Sequence, residues 1–229
     1  MRDFLFMMTI VFTGLSAHSQ IYEFGVFAGG SNFIGDVGAT NYISPNQVAF
    51  GGIFKWNRSP RHSFRASIIY SDLEGIDEKS SDPRRVQRDY SFNNSILEVS
   101  AGLEFTFWEF DLHTPEFKGT PYLFTGISMA NHDNYYFDNT GNYLSENTSS
   151  WAFGIPMVLG YKAHIATHFV LAAEIGARYT FSDELDGSVP GAESRENFSF
   201  GNTNSNDWYV FSGVTLTYTF GRKPCYCGF

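Results

Sequence analysis

The stretch HFVLAAEIGARYTF, residues 168–181, alternates with a period of two. Phe169, Leu171, Ala173, Ile175, Ala177, Tyr179 and Phe181 fall on one side of an extended chain. Val170, Ala172, Glu174, Gly176, Arg178 and Thr180 fall on the other. The first set suits lipid. The second, with a carboxylate and a guanidinium, suits a polar interior. That combination is the pattern of a transmembrane β-barrel strand. Residues 94–109 repeat it, with Leu97, Val99, Ala101, Leu103, Phe105 and Phe107 outside and Glu98, Ser100, Gly102, Glu104 and Thr106 inside. In 150–165, Trp151, Phe153, Ile155, Met157, Leu159 and Tyr161 face out. In 120–137 both faces carry apolar members, so the facing stays open.

The composition agrees. Aromatic residues make up 18% of the chain, with 24 Phe and 13 Tyr, yet the mean hydropathy is −0.19. After residue 20 there is no apolar run long enough for a membrane helix. At the N-terminus, Arg2, the apolar FLFMMTIVFTGL and the small residues Ala17 and Ser19 read as a secretory signal over 1–19. No cysteine follows the cleavage point, so the signal is not that of a lipoprotein. The remainder is enough for one domain with a real core. A net charge of −9 argues against nucleic acid, whose phosphates need Lys and Arg.

Eight alternating segments are expected, near 21–30, 47–57, 62–76, 94–109, 120–137, 150–165, 168–182 and 207–221. Each is long enough to cross a membrane as a tilted strand. The links between them alternate long and short, as an up-and-down barrel requires. Links one-two, three-four, five-six and seven-eight run to about 16, 17, 12 and 24 residues, against about four, ten and two for the others. The expected fold is therefore an eight-stranded antiparallel outer-membrane barrel over 20–222, with both chain ends and the short turns in the periplasm. Residues 223–229 form a periplasmic tail. The last segment, with Gly213, Leu216, Tyr218 and Phe220, resembles the C-terminal signal of outer-membrane strands.

Projected inward, the strands carry Glu23, Lys55, Arg65, Glu98, Glu104, Lys162, Glu174 and Arg178. An eight-stranded barrel is only wide enough for side chains to fill it. Four acids and four bases there form an ion-paired plug, because unpaired charges carry a large desolvation cost. A solute channel is not expected.

No enzyme chemistry stands out. His62, His164 and His168 sit beside short turns and His113 in the fourth link. Only His132 lies toward the outside, and beside Asp133 it reads as a solvated loop residue. Asp183, Glu184 and Asp186, with Glu193 and Glu196 beyond, could offer oxygens to calcium, but the EF-type spacing is absent and the stretch reads as a solvated acidic loop. Cys225 and Cys227, the only cysteines, lack the nearby histidine pair of a zinc site. No cofactor and no metal is expected. Arg58 and Arg61 in RSPRH make a basic periplasmic turn, read either as charges flanking a membrane strand or as a partner patch.

Six stretches carry a resemblance. GVFAGGSNFIGDVG, FKWNRSPRHSFR, SAGLEF, GARYTFSDELDGS, NSNDWYVFSGVTLTYTFG and the terminal KPCYC resemble the PorG family of the Bacteroidetes type IX secretion system. The resemblance implies a non-enzymatic outer-membrane barrel that serves secretion and, in gliding species, adhesin export. It implies contact with a periplasmic ring of a GldK/PorK-type lipoprotein and its GldN/PorN-type partner. An intermolecular disulfide from Cys225 or Cys227, with Tyr226 and Phe229 as apolar anchors, fits that setting, since the periplasm is oxidising and an i, i+2 disulfide is strained. The alternative is a stand-alone barrel whose acidic external loops bind surface ligands.

Overall fold

The computed structural model describes residues 21–112, 117–202 and 205–221. The expected signal segment, His113 and the tail with Cys225, Tyr226, Cys227 and Phe229 lie outside the described residues.

Eight antiparallel strands form a closed ring in chain order. They are β1 Ile21–Ile34, β2 Gln47–Asn57, β3 His62–Ile76, β4 Ser91–Thr106, β5 Gly119–Phe137, β6 Tyr143–Ala166, β7 Phe169–Thr180 and β8 Trp208–Phe220. The ring closes where β8 pairs with β1, from Tyr22 opposite Phe220 to Ile34 opposite Trp208. Closure satisfies every strand edge, which a sheet in hydrocarbon requires. Each wall strand exposes its apolar set: Phe24, Phe50, Ile68, Leu97, Ile127 and Leu159 are all lipid-facing. The chain is an outer-membrane β-barrel, with the short turns at 58–61 and 167–168 and the described residues 107–112 and 117–118 at the end that such barrels turn to the periplasm.

The boundaries differ from the expected ones at three places. β1 continues to Ile34, because Ser31–Ile34 pairs with Trp208–Phe211 although the alternation is broken by glycines. β4 starts at Ser91 and ends at Thr106, since the polar stretch 91–94 pairs with Glu74–Ile76 and beyond. β6 starts at Tyr143 rather than near 150. The fifth link is therefore only 138–142, closed by Asp138, whose carboxylate accepts the backbone N–H groups of Thr140 and Asn142. Residues 143–149 carry almost no apolar alternation. Cross-strand pairing with Tyr135–Phe137 makes them a strand.

The open facing in β5 resolves with Tyr122, Phe124, Ser128, Ala130 and His132 inward. The long third link holds a short helix not expected from periodicity, α1 (Pro83–Arg88). It has local signals all the same. Asp82 caps it by accepting from the Arg84 N–H, Pro83 opens it, and Asp89 ends it in the left-handed conformation at φ 59°.

Gly102 and Gly126 lie directly opposite each other in β4 and β5. A Cβ on Gly126 would sit 2.1 Å from the Ala101 carbonyl oxygen, and one on Gly102 would sit 2.1 Å from that of Thr125. The two strands approach closely here, and only glycine fits. Gly126→Val is expected to cost about 1–3 kcal/mol. Heat-modifiability on gels after detergent refolding reads it, as a reduced folded fraction; an unchanged fraction would contradict the close approach.

Candidate functional site

All eight inward charges are buried in the lumen. At its centre Glu104 accepts from Lys162 Nζ at 2.7 Å and is ion-paired with Lys55 Nζ at 2.7 Å, with Arg65 at 3.8 Å. Arg65 makes a two-pronged pair with Glu174, both bonds 2.7 Å. The Tyr122 hydroxyl donates to the same carboxylate. Toward the outside, Arg178 Nε lies 3.1 Å from Glu98, and the Tyr209 hydroxyl donates to Glu98 at 2.6 Å. At the periplasmic end Glu23 is held by neutral donors, Asn57 Nδ2 at 2.8 Å and Thr217 Oγ1 at 2.6 Å.

Rings line the gaps. Arg65 sits 4.8 Å from the Phe124 ring, Arg178 sits 4.5 Å from Phe211, and Lys55 sits 5.2 Å from Tyr122. The sequence reading missed Tyr122 and Tyr209 as lumen donors. Period two places both inward, but a Tyr in an aromatic-rich strand carries no label for which way it faces.

Both mouths are closed. The link after β4 enters the barrel rather than only joining two strands. It carries Phe110 into the periplasmic mouth, where its ring stacks on His164 at 4.4 Å and lies 4.9 Å from Lys162 Nζ. The neighbouring turn is braced against it. Pro60 O accepts from Phe110 N and from Thr106 Oγ1, both at 3.0 Å. Ser59 Oγ accepts from the His62 N–H. Arg58 and Arg61 are thus exposed on a pinned turn, with Arg61 3.6 Å from Glu109.

The external mouth holds an aromatic cluster that includes Phe33, Phe92, Phe137, Tyr209 and Phe211, with Leu185 inserted from the long loop. Buried carboxylates stitch the loops over it. Asp186 accepts from Asp36 N, Val37 N and Ser188 N at 2.9, 3.1 and 2.8 Å. Asp77 accepts from Gly38 N at 2.8 Å and from Arg88 Nε at 2.7 Å. Asp207 accepts from Leu185 N at 3.0 Å.

Two expectations fail here. The stretch around Asp183 and Asp186 is not a solvated loop, because Leu185 draws it into the mouth and Asp186 becomes fully buried. His132 is not a loop residue either. It lies on β5, buried inside the wall, with Nδ1 3.2 Å from the Asp133 carbonyl. Among the described residues, no three His, Cys, Asp or Glu side chains converge as a metal site would need.

The acids of this cap repel one another. Burial first, and then Asp186, Asp36 and Glu184, push the Asp183 carboxyl up to about 7. Burial, with Asp186 and Asp183, pushes Asp207 well above the carboxylate range.

Solved structures that the chain is similar to are small outer-membrane barrels. Ail of Yersinia pestis matches at TM-score 0.43 and 10% identity, covering 89% of this chain and 100% of that one. A major outer membrane protein of Thermus thermophilus matches at TM-score 0.44 and 13% identity, covering 89% and 100%. The N-terminal barrel of Pseudomonas aeruginosa OprF matches at TM-score 0.41 and 13% identity, covering 89% and 98%. By sequence, no curated protein matches the chain. Residues 2–229 match a family described as a domain of unknown function, DUF6089.

Two outcomes are expected from this geometry. Glu104→Ala strands two buried ammonium groups, those of Lys55 and Lys162, and should lower the unfolding free energy in detergent by about 3–5 kcal/mol. Glu23→Gln, facing neutral donors, should cost about 1 kcal/mol. Urea titration checks both, and equal costs would contradict the network.

The second outcome concerns pH. A carboxyl raised from about 3.9 in the unfolded chain to about 7 in the fold favours its protonated form. Its contribution is full below about pH 4 and is lost as the pH rises through about 7. Proteolysis of the loop 181–207, calibrated on an unstructured peptide, should be several-fold faster at about pH 8.5 than at about pH 5.5. Asp183→Asn should reduce that difference, the remainder lying with the buried Asp207.

Proposed function

The chain belongs to the DUF6089 family, and on that premise we propose that it is a non-enzymatic structural subunit of a type IX protein secretion and gliding apparatus. It resembles PorG and contacts the periplasmic ring of a GldK/PorK-type lipoprotein and its partner. The observation that supports this reading is a barrel packed through its lumen and closed at both mouths by Phe110 and by Leu185 with its aromatic neighbours. Such a wall has its rims and its lipid-facing surface left for binding.

The periplasmic rim has the features of a docking edge. Arg58 and Arg61 stand on a rigid turn in a chain of net charge −9. Trp108 is exposed beside them. β8 ends on the same rim, so the tail with Cys225, Tyr226, Cys227 and Phe229 leaves from there. In the oxidising periplasm a tail cysteine would bond to a cysteine of the ring, with the basic turn steering the approach. A second reading, a stand-alone barrel whose external loops bind surface ligands, draws on one observation: those loops are ordered over the mouth rather than extended away from it.

Copurification from solubilised outer membranes tests the first reading. Arg58→Glu with Arg61→Glu should lower recovery of the ring lipoprotein at least about tenfold, about 1.4 kcal/mol. On a non-reducing gel the wild type should run as a high-mass band that collapses on reduction. That band should vanish in Cys225→Ser/Cys227→Ser. Full recovery of the ring by both variants would overturn the periplasmic docking.

A further inference from the structure

Two hollows adjoin on the external cap, of about 460 Å³ and about 410 Å³, and they share Arg88 and Gly201. Each is within the range of a small-ligand site. We propose that together they bind an anionic saccharide at the cell surface, its acid group on the arginines of α1 and a sugar face on the neighbouring rings.

The arginines differ in what they already do. Arg88 is fixed. It pairs with the buried Asp77, donates to the Asp36 carbonyl at 2.8 Å, and lies 5.0 Å from the Tyr90 ring and 4.9 Å from the Phe200 ring. It serves as a rigid floor. Arg84 is almost fully exposed and donates to the Asp82 carboxylate through Nε at 3.2 Å and Nη2 at 2.9 Å, a surface pair that a ligand anion can replace. Arg85 is the telling one. It is half-buried, and its partner among the described residues is a neutral carbonyl, that of Gly38, at 2.8 Å. Asp36 and Asp82 line the same hollow, but Asp36 accepts from the Asn202 N–H and Asp82 from Arg84, so the Arg85 guanidinium keeps donors to spare in a fork that suits carboxylate or phosphate. In a protein of net charge −9 such a cation is out of place structurally and in place as an anion receptor.

The second hollow supplies the other half of a sugar site. Phe198 and Phe200 present aromatic surface, and Asn139 and Asn197 present amides to its space. Rings for the apolar face of a pyranose, amides for its hydroxyls and arginines for its acid are the groups such a ligand needs. A lipid chain would have no use for either end. The acid could come from the outer leaflet's own glycolipid or from a soluble polysaccharide, and both present it on a sugar ring.

The test uses the full chain in nanodiscs and two probes. One is the phosphorylated core oligosaccharide released from outer-leaflet glycolipid. The other is a short polyuronate, with its carboxyl-reduced neutral form as control. Isothermal titration should show binding of at least one anionic probe, with the neutral form at least tenfold weaker. Arg84→Glu, which leaves the Gly38 contact intact, and Arg85→Ala should each weaken it at least tenfold. Phe198→Ala should weaken it several-fold. Preference for the core oligosaccharide assigns the site to the membrane's own surface, and preference for the polyuronate assigns it to soluble glycan. Binding of neither probe, or equal binding by the neutral form or by both arginine variants, overturns the proposal. Retained binding of the periplasmic ring in the same preparations keeps this result separate from the secretion reading.

Discussion

Eight strands enclose too little space for a column of water, so a charge inside this barrel must meet a partner or not be there. That constraint organises the molecule. Glu104 gathers Lys55, Lys162 and, at longer range, Arg65. Arg65 then needs Glu174, and Glu174 takes the remaining donor from Tyr122. Each partner comes from a different strand: β4, β2, β6, β3, β7 and β5. The network therefore fixes the register of the ring as tightly as the backbone ladders do. A slip of one residue would turn all of these groups into lipid.

The ends of the barrel follow from the same limit. A packed lumen gives no reason to keep the mouths open, and both are shut by aromatic side chains from the links. At the periplasmic end one short segment suffices, because Phe110 meets a stacked His164 and the ammonium of Lys162. At the external end the loops are long and must satisfy many backbone groups without regular pairing. Asp186, Asp77 and Asp207 do that, each taking N–H groups from a different part of the chain. Buried carboxylates are costly, and they concentrate where loop backbone has no sheet to join.

Most of the wall was legible from alternation. The strand count, the facing of 94–109, 150–165 and 168–181 and the identity of the inward charges all follow from period two, since lipid and lumen select opposite side chains. What was not legible lies where that selection stops. Residues 143–149 form a strand through pairing alone. β5 stayed ambiguous because Tyr122 and Phe124 are apolar residues used inside, as ring partners for cations. The cap was misread because a run of acids signals water on composition, while its true environment is set by one residue, Leu185, that pulls its neighbours into the mouth. His132 was misread although the expected segment 120–137 contained it: the polar Asn131, His132, Asp133 and Asn134 signal a loop on composition, while strand pairing puts the imidazole inside.

The external hollow is not independent of the sealed interior. Arg88 forms its floor, yet the same guanidinium closes on Asp77, which holds the Gly38 backbone, and rests on the Phe200 ring that joins the aromatic cluster of the mouth. A charge bound on the arginine side would therefore press on groups that seal the barrel. Arg85 reaches the same Gly38 from the other direction. Two arginines, one turn apart on α1, thus tie the outer surface to the first loop of the barrel. The short helix has little stability of its own at six residues, so its position is set by these ties rather than by its propensity. That is the arrangement expected when a helix serves to hold side chains at a surface, with the packed lumen beneath it as the rigid support.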